Sequence, residues 1–145
     1  LKRRSHPRRI LRIINEIGKE VSHNNEVRVL QAYTSDYPFP DRMPWIKDVR
    51  LANGHEDQRG IDLVFSTDVG DIFLQLKSSE VFAEKFRREQ KQRKLRTHIV
   101  VAVTDVKHGP REICKIITPL LAFERNRRLR LGEEIEVTHK HCEEE

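Results

Sequence analysis

Between Gly60 and Ser79 the chain reads GIDLVFSTDVGDIFLQLKSS, and this stretch restricts the fold more than any other. Apolar and polar residues alternate from Ile61 to Thr67 and again from Ile72 to Lys77, with DVGD between the two runs. A period of two is the period of a strand, and Asp and Gly across a short gap favour a turn, so the stretch predicts an antiparallel hairpin. Alternation puts Ile61, Leu63 and Phe65 on one face of the first strand and Asp62, Val64 and Ser66 on the other. In the second strand Ile72, Leu74 and Leu76 oppose Phe73, Gln75 and Lys77.

The flanking sequence supplies the remaining elements. Ser5 and Pro7 suit a helix start, and Ile10, Ile13, Ile14, Ile17 and Val21 recur at helical spacing. HNN at His23–Asn25 is expected to end that helix, and Val27 to Tyr33 to form a first strand. SDYPFPDRMPW is too rich in proline to be regular. WIKDVRLA fits either a short strand or a helix, and NGHEDQRG reads as a polar loop. After the hairpin, Ser78 or Ser79 can cap a helix whose early Glu80 and Glu84 and late Lys91, Arg93 and Lys94 match the helix dipole. IVVAV, from Ile99 to Val103, is an unbroken apolar run expected to be a central strand, reached by a parallel crossover. A last helix follows Gly109-Pro110, kinked or interrupted at Pro119, and the tail HKHCEEE is expected to fray.

The order is helix, strands, hairpin, helix, strand, helix: an α/β fold with a mixed sheet between helices. At 145 residues the chain is the size of one domain, and it is read as one, 1–145, with its core from about residue 9 to 130. The cysteines, Cys114 and Cys142, fit no metal or redox spacing, so a reduced, cytoplasmic chain is expected. His139, His141 and Cys142 lack a fourth zinc ligand. No apolar run approaches a membrane span and no signal peptide is visible.

The polar face of the hairpin has a chemical use. Antiparallel pairing brings Asp62 beside Gln75 and Lys77, which share a face two residues apart. A carboxylate, an amide oxygen and an ammonium are costly to desolvate together and poor as packing. The two oxygens, with the main-chain carbonyl of Leu76, suit a hard divalent ion such as Mg²⁺ or Mn²⁺. Lys77 can then orient or deprotonate a water, or stabilise charge on a phosphate. Metal plus positioned water is the chemistry of phosphodiester hydrolysis. E-x-K also occurs at Glu89–Lys91, but in a helical segment, where positions two apart diverge.

At these residues the sequence resembles the PD-(D/E)XK nuclease superfamily, whose pattern is an Asp on one strand and an acidic or Gln residue, any residue, and Lys on the next. Here it reads GID, twelve residues, then QLK. The resemblance runs from about Arg9 to Asp105. It implies a restriction-endonuclease-like three-layer core in the order α-β-β-β-α-β and a magnesium-dependent endonuclease acting on DNA in repair, recombination, restriction or a mobile element. In the family the preceding helix often adds an acid, a role Glu20 fits by its place at the edge of the apolar stripe. Uncharacterised bacterial members carry an acid five residues before the catalytic Asp, which Asp57 matches. The implied catalytic set is Asp62, Gln75, Lys77, Glu20 and Asp57, with Asp62, Gln75, Glu20 and the Leu76 carbonyl on the metal. Many members dimerise, so the resemblance also admits a homodimer. The sequence departs from the pattern at Gln75, which carries one negative charge fewer than Glu or Asp, and in having Gly60-Ile61 in place of a PD dipeptide.

The formal net charge of +5 favours a polyanionic partner. Basic residues cluster at Lys2–Arg12, Lys85–Arg96 and Arg125–Arg130. The second cluster follows directly from Lys77, so the DNA phosphate backbone is expected along Lys85, Arg88 and Lys91, with Arg12 and Ser79 beside it. Two further readings stay open: a catalytically degenerate domain that binds nucleic acid, and a subunit whose basic faces dock a protein.

Overall fold

The structure, a computed structural model, describes residues 23–36, 39–93 and 98–143, the last ten by backbone alone. The elements in chain order are α1 (residues 23–34), β1 (Ile46–Leu51), α2 (Gly54–Gln58), β2 (Leu63–Thr67), β3 (Gly70–Lys77), α3 (Glu80–Arg93), β4 (Ile99–Val103) and α4 (Pro110–Glu143). They form an α/β domain on one four-stranded mixed sheet of order β1-β2-β3-β4. The first two pairings are antiparallel, and β3 and β4 are parallel across the α3 crossover. Asp68 and Val69 make the tight turn between β2 and β3, closed by Gly70 at φ +95° and by Thr67 Oγ1 bonding to the Gly70 carbonyl at 2.6 Å.

Helices cover both faces. On one, Val29 and Ala32 of α1 and Ile113, Ile117 and Leu121 of α4 pack on Leu63, Phe65, Ile72, Leu74, Val100 and Ala102. On the other, Ile61, Val64 and Ile99 form a smaller cluster against Phe73 of β3 and Phe86 of α3. Ile61 therefore packs with Val64, not with Leu63 and Phe65 as alternation suggests: the chain leaves the sheet at Gly60 (φ +84°), and the period of two holds only inside the ladder.

Several expectations are corrected. Residues 23–34 are helical, so HNN does not end a helix and Val27–Tyr33 is not a strand. Asn25, Val29 and Ala32 lie at helical spacing, and burial of Val29 and Ala32 outweighs the β-branched residues' preference for a strand. Residues 1–22, with the expected first apolar stripe, lie outside the described residues. NGHEDQRG contains a helix, α2: Asn53 Oδ1 accepts from Glu56 N at 2.9 Å, and the Glu56 carboxylate accepts from Asn53 N at 3.0 Å, a complete capping box. WIKDVRLA resolves as the strand β1. IVVAV is an edge strand, not a central one, though Val100 and Ala102 are buried on one face and Ile99 on the other. Gln90 blunts its edge: the side-chain amide donates to the Ile99 carbonyl at 3.0 Å and accepts from its N–H at 2.5 Å. Finally, α4 runs through Pro119 without interruption and stays helical as far as Glu143, the last described residue. Pro119 is solvent-exposed, where water can satisfy the carbonyl its ring leaves unpaired.

Candidate active site

The Asp62 side chain completes the hairpin ladder. Its main chain still pairs on both sides, donating to the Leu74 carbonyl at 2.8 Å and accepting from Ala52 N at 2.9 Å. One rung further, β3 has outrun its partner, because the chain turns away at Gly60 under the pull of two α2 bonds, Gly60 N to Asp57 O and Ile61 N to Glu56 O. The N–H of Leu76 would be left unpaired, and Asp62 Oδ2 accepts it at 2.8 Å. In a ladder the N–H and C=O of one residue point to the same edge, so the Leu76 carbonyl faces the Asp62 side. Gln75 Nε2 approaches that carbonyl at 3.4 Å.

Gln75 and Lys77, two residues apart on β3, share a face, and Leu76 between them meets the Asp62 carboxylate through its N–H. The three hairpin residues are thus brought together. Gln75 is buried, and its Oε1 has no hydrogen-bond partner. Lys77 bears electrostatically on Asp62, and its ammonium sits over the Phe86 ring, 5.3 Å from the centroid.

The residue that joins them from α1 is Glu26. Its carboxyl shares a hydrogen bond with Asp62. Burial, the Asp62 charge, that hydrogen bond and the charge of Asp57 push the Glu26 pKa up to about 7. Burial also raises Asp62, against the Leu76 N–H and Glu26, which pull it down. Two carboxyls held against each other resist ionising together, so one proton is shared near neutrality. Glu20 and Arg12 lie outside the described residues, and Asp57, on the exposed side of α2, reaches the pair by its charge. The sequence carried a signal for Glu26: it stands three residues before Val29 and six before Ala32, on the buried side of a helix. Reading 27–33 as a strand hid it.

Oxygen donors dominate: the Glu26 and Asp62 carboxyls, the unpartnered Gln75 Oε1 and the Leu76 carbonyl. Among the described residues no three His, Cys, Asp or Glu side chains gather as a metal group. One or two carboxylates completed by neutral oxygens and waters is nonetheless the set that a magnesium-sized ion takes, so these residues fit such an ion.

Of the expected phosphate contacts, Lys85, Arg88 and Lys91 are exposed on α3, and Ser79 Oγ accepts from Phe82 N at 3.4 Å as a loose cap. Arg88 Nε lies 3.7 Å from Glu84. The third basic cluster is mostly paired: Arg125 with Asp68, and Arg127 and Arg128 with Glu124. Neither of two surface clefts, about 520 Å³ between α3, β4 and α4 and about 590 Å³ along α3, is lined by Glu26, Asp62, Gln75 or Lys77. Among the described residues no helix is long and apolar enough to cross a membrane. Comparisons with family models, curated proteins and solved structures return no match.

Proposed function

We propose that the chain is a divalent-metal-dependent nuclease domain of the PD-(D/E)XK kind, with a restriction-endonuclease-like core, that hydrolyses phosphodiester bonds of DNA. The observation that carries this reading is the contact of two mutually repelling carboxyls, Glu26 and Asp62, with Asp62 bound to the Leu76 N–H between Gln75, whose buried Oε1 has no hydrogen-bond partner, and Lys77, whose charge bears on Asp62. Such a group is unfavourable as packing and suits cation binding. Glu26 takes the helix-borne acidic role that the sequence suggested for Glu20.

In this reading Glu26, Asp62, Gln75 Oε1 and the Leu76 carbonyl would hold the ion. When bound, it supplies a Lewis acid for a phosphate oxygen and a more acidic water. Asp62 is held in place by the Leu76 N–H. Lys77 orients the attacking water or neutralises charge developing on the phosphate. Lys85, Arg88 and Lys91 carry the phosphate backbone without reading bases, so cleavage is expected to be independent of sequence.

A plasmid-nicking assay with Mg²⁺ or Mn²⁺ tests this. Wild type is expected to nick and Lys77→Ala to be inactive; equal behaviour of the two sinks the catalytic claim. A second reading, nucleic-acid binding without cleavage, is favoured by Gln75 standing where an acid would complete a three-carboxylate site. It expects salt-dependent DNA binding with no nicking under either metal.

A further inference from the structure

We propose that Phe86 is a positioning residue: its ring face holds the Lys77 ammonium at the site, and Gly60 gives that ring its place. The Lys77 Nζ lies 5.3 Å from the Phe86 centroid, and no ion pair to Lys77 is found among the described residues. Phe86 is anchored on its other side by the cluster of Ile61, Val64 and Ile99. A Cβ on Gly60 would stand 3.0 Å from Phe86 Cε2 and 3.8 Å from Gln75 Oε1. The turn that aims Asp62, the ring that holds Lys77 and the amide of Gln75 therefore meet at one residue that has no side chain.

The choice of an aromatic partner has a physical reason. A flexible four-carbon stem needs something to hold its charged end. A carboxylate would hold it but cancel its charge and occupy its N–H groups. A ring face attracts a cation more weakly and does neither, so the ammonium stays available to water or phosphate. Phe86 touches no reacting atom in this arrangement and acts only through Lys77.

The kinetic arm of the test rests on the nuclease reading and the spectroscopic arm does not. In Phe86→Leu the apolar cluster stays filled and the ring face is lost; in Phe86→Tyr the ring remains. For Phe86→Leu, kcat is expected to fall roughly tenfold with KM and melting temperature nearly unchanged, and Phe86→Tyr is expected to restore it. An unchanged kcat in Phe86→Leu, or equal losses in both variants, overturns the proposal. By NMR, the Lys77 Cε protons of the wild type should resonate upfield of ordinary lysine values, through the ring current, and return in Phe86→Leu. Ordinary values in the wild type overturn it without any variant having to fold. If nothing nicks DNA yet the ring-current shift is present, the nuclease reading fails and Phe86 is left as the holder of Lys77.

Discussion

Two acidic sites of the protein are treated in opposite ways. Glu124 on α4 is only 2% exposed, and burial alone would raise its pKa, yet it ends below the ordinary range. Arg127 grips it with bonds of 2.9 and 2.7 Å, Arg128 adds one of 3.1 Å, and His98 lies 3.9 Å away. Glu26 and Asp62 are also withdrawn from water, but they face each other, and both pKa values are raised. Paired charge at Glu124 explains itself as structure. Charge pressed against like charge, beside an unpartnered amide oxygen, lowers stability and calls for a different reason.

The sharpest way to break this contrast is Asp62→Asn. The amide oxygen can still accept from Leu76 N, so the local geometry should hold. Under the proposed function, nicking falls by at least about 100-fold, since changes even beyond the direct ligands of a metal cost 10–100-fold. Stability measured by urea unfolding near pH 8 should stay level or rise, because one of two repelling charges is gone. A clear loss of stability would mean that the pair is structural after all.

Glu124→Gln is the mirror experiment. It removes charge-assisted bonds from two arginines, so it should cost about 2 kcal/mol. That is a fall in melting temperature of about 4–8 °C for a chain this size. Nicking below the transition should be unaffected, and a loss of activity at unchanged stability would break the division between the two acid sites.

The pH dependence of stability should separate the two kinds of acid again. Glu56, gripped by Arg50 at 2.6 and 2.9 Å and by the Asn53 N–H, is lowered from 4.5 to about 2. Its contribution is present above about pH 4.5 and is lost as pH falls through about 2. Glu26 is raised from 4.5 to about 7, so the opposite sign applies. Its environment is fully tolerated below pH 4.5, and stability declines as pH climbs through about 7. Thermal melts should therefore show an acid limb and a separate decline towards neutrality. Glu26→Gln should flatten only the second. Added Mg²⁺ should raise the melting temperature more at pH 8 than at pH 6, since binding competes with the shared proton.

What could be read in advance followed from local rules. The hairpin was legible because alternation and a tight turn fix its register, and the register brings Asp62 to the end of β3 that carries Gln75 and Lys77. The parallel crossover through α3 followed from a helix between two strands. Three features were hidden for physical reasons. Glu26 belongs to a helix containing Val27, Val29 and Asn25, residues of weak helix propensity whose burial overrides preference. The α2 helix is only five residues long, and its Asn53/Glu56 capping box was the one clue, overlooked among polar neighbours. The edge position of β4 cannot be told from apolar content, because helices bury its side chains on both faces and Gln90 satisfies the Ile99 backbone.

The smallest expected effect decides which acid works with Asp62. Asp57 was a candidate through the family resemblance, standing five residues before Asp62. It is exposed on α2, makes no direct bond to the pair, and enters only as a charge that raises Glu26 and Asp62. A surface charge screened by salt should matter little. For Asp57→Asn, stability should change by less than about 0.5 kcal/mol. The neutral-side decline of the melting curve should become slightly shallower and end at slightly lower pH, because removing a nearby anion lets Glu26 ionise more easily and the penalty of charging it shrinks. Nicking should keep most of its rate. Were Asp57 a third ligand, its loss would match that of Asp62→Asn and Glu26→Gln would be mild. The ranking of these three substitutions, measured side by side at one metal concentration, therefore assigns the site to α1 or to α2 without needing to see the ion.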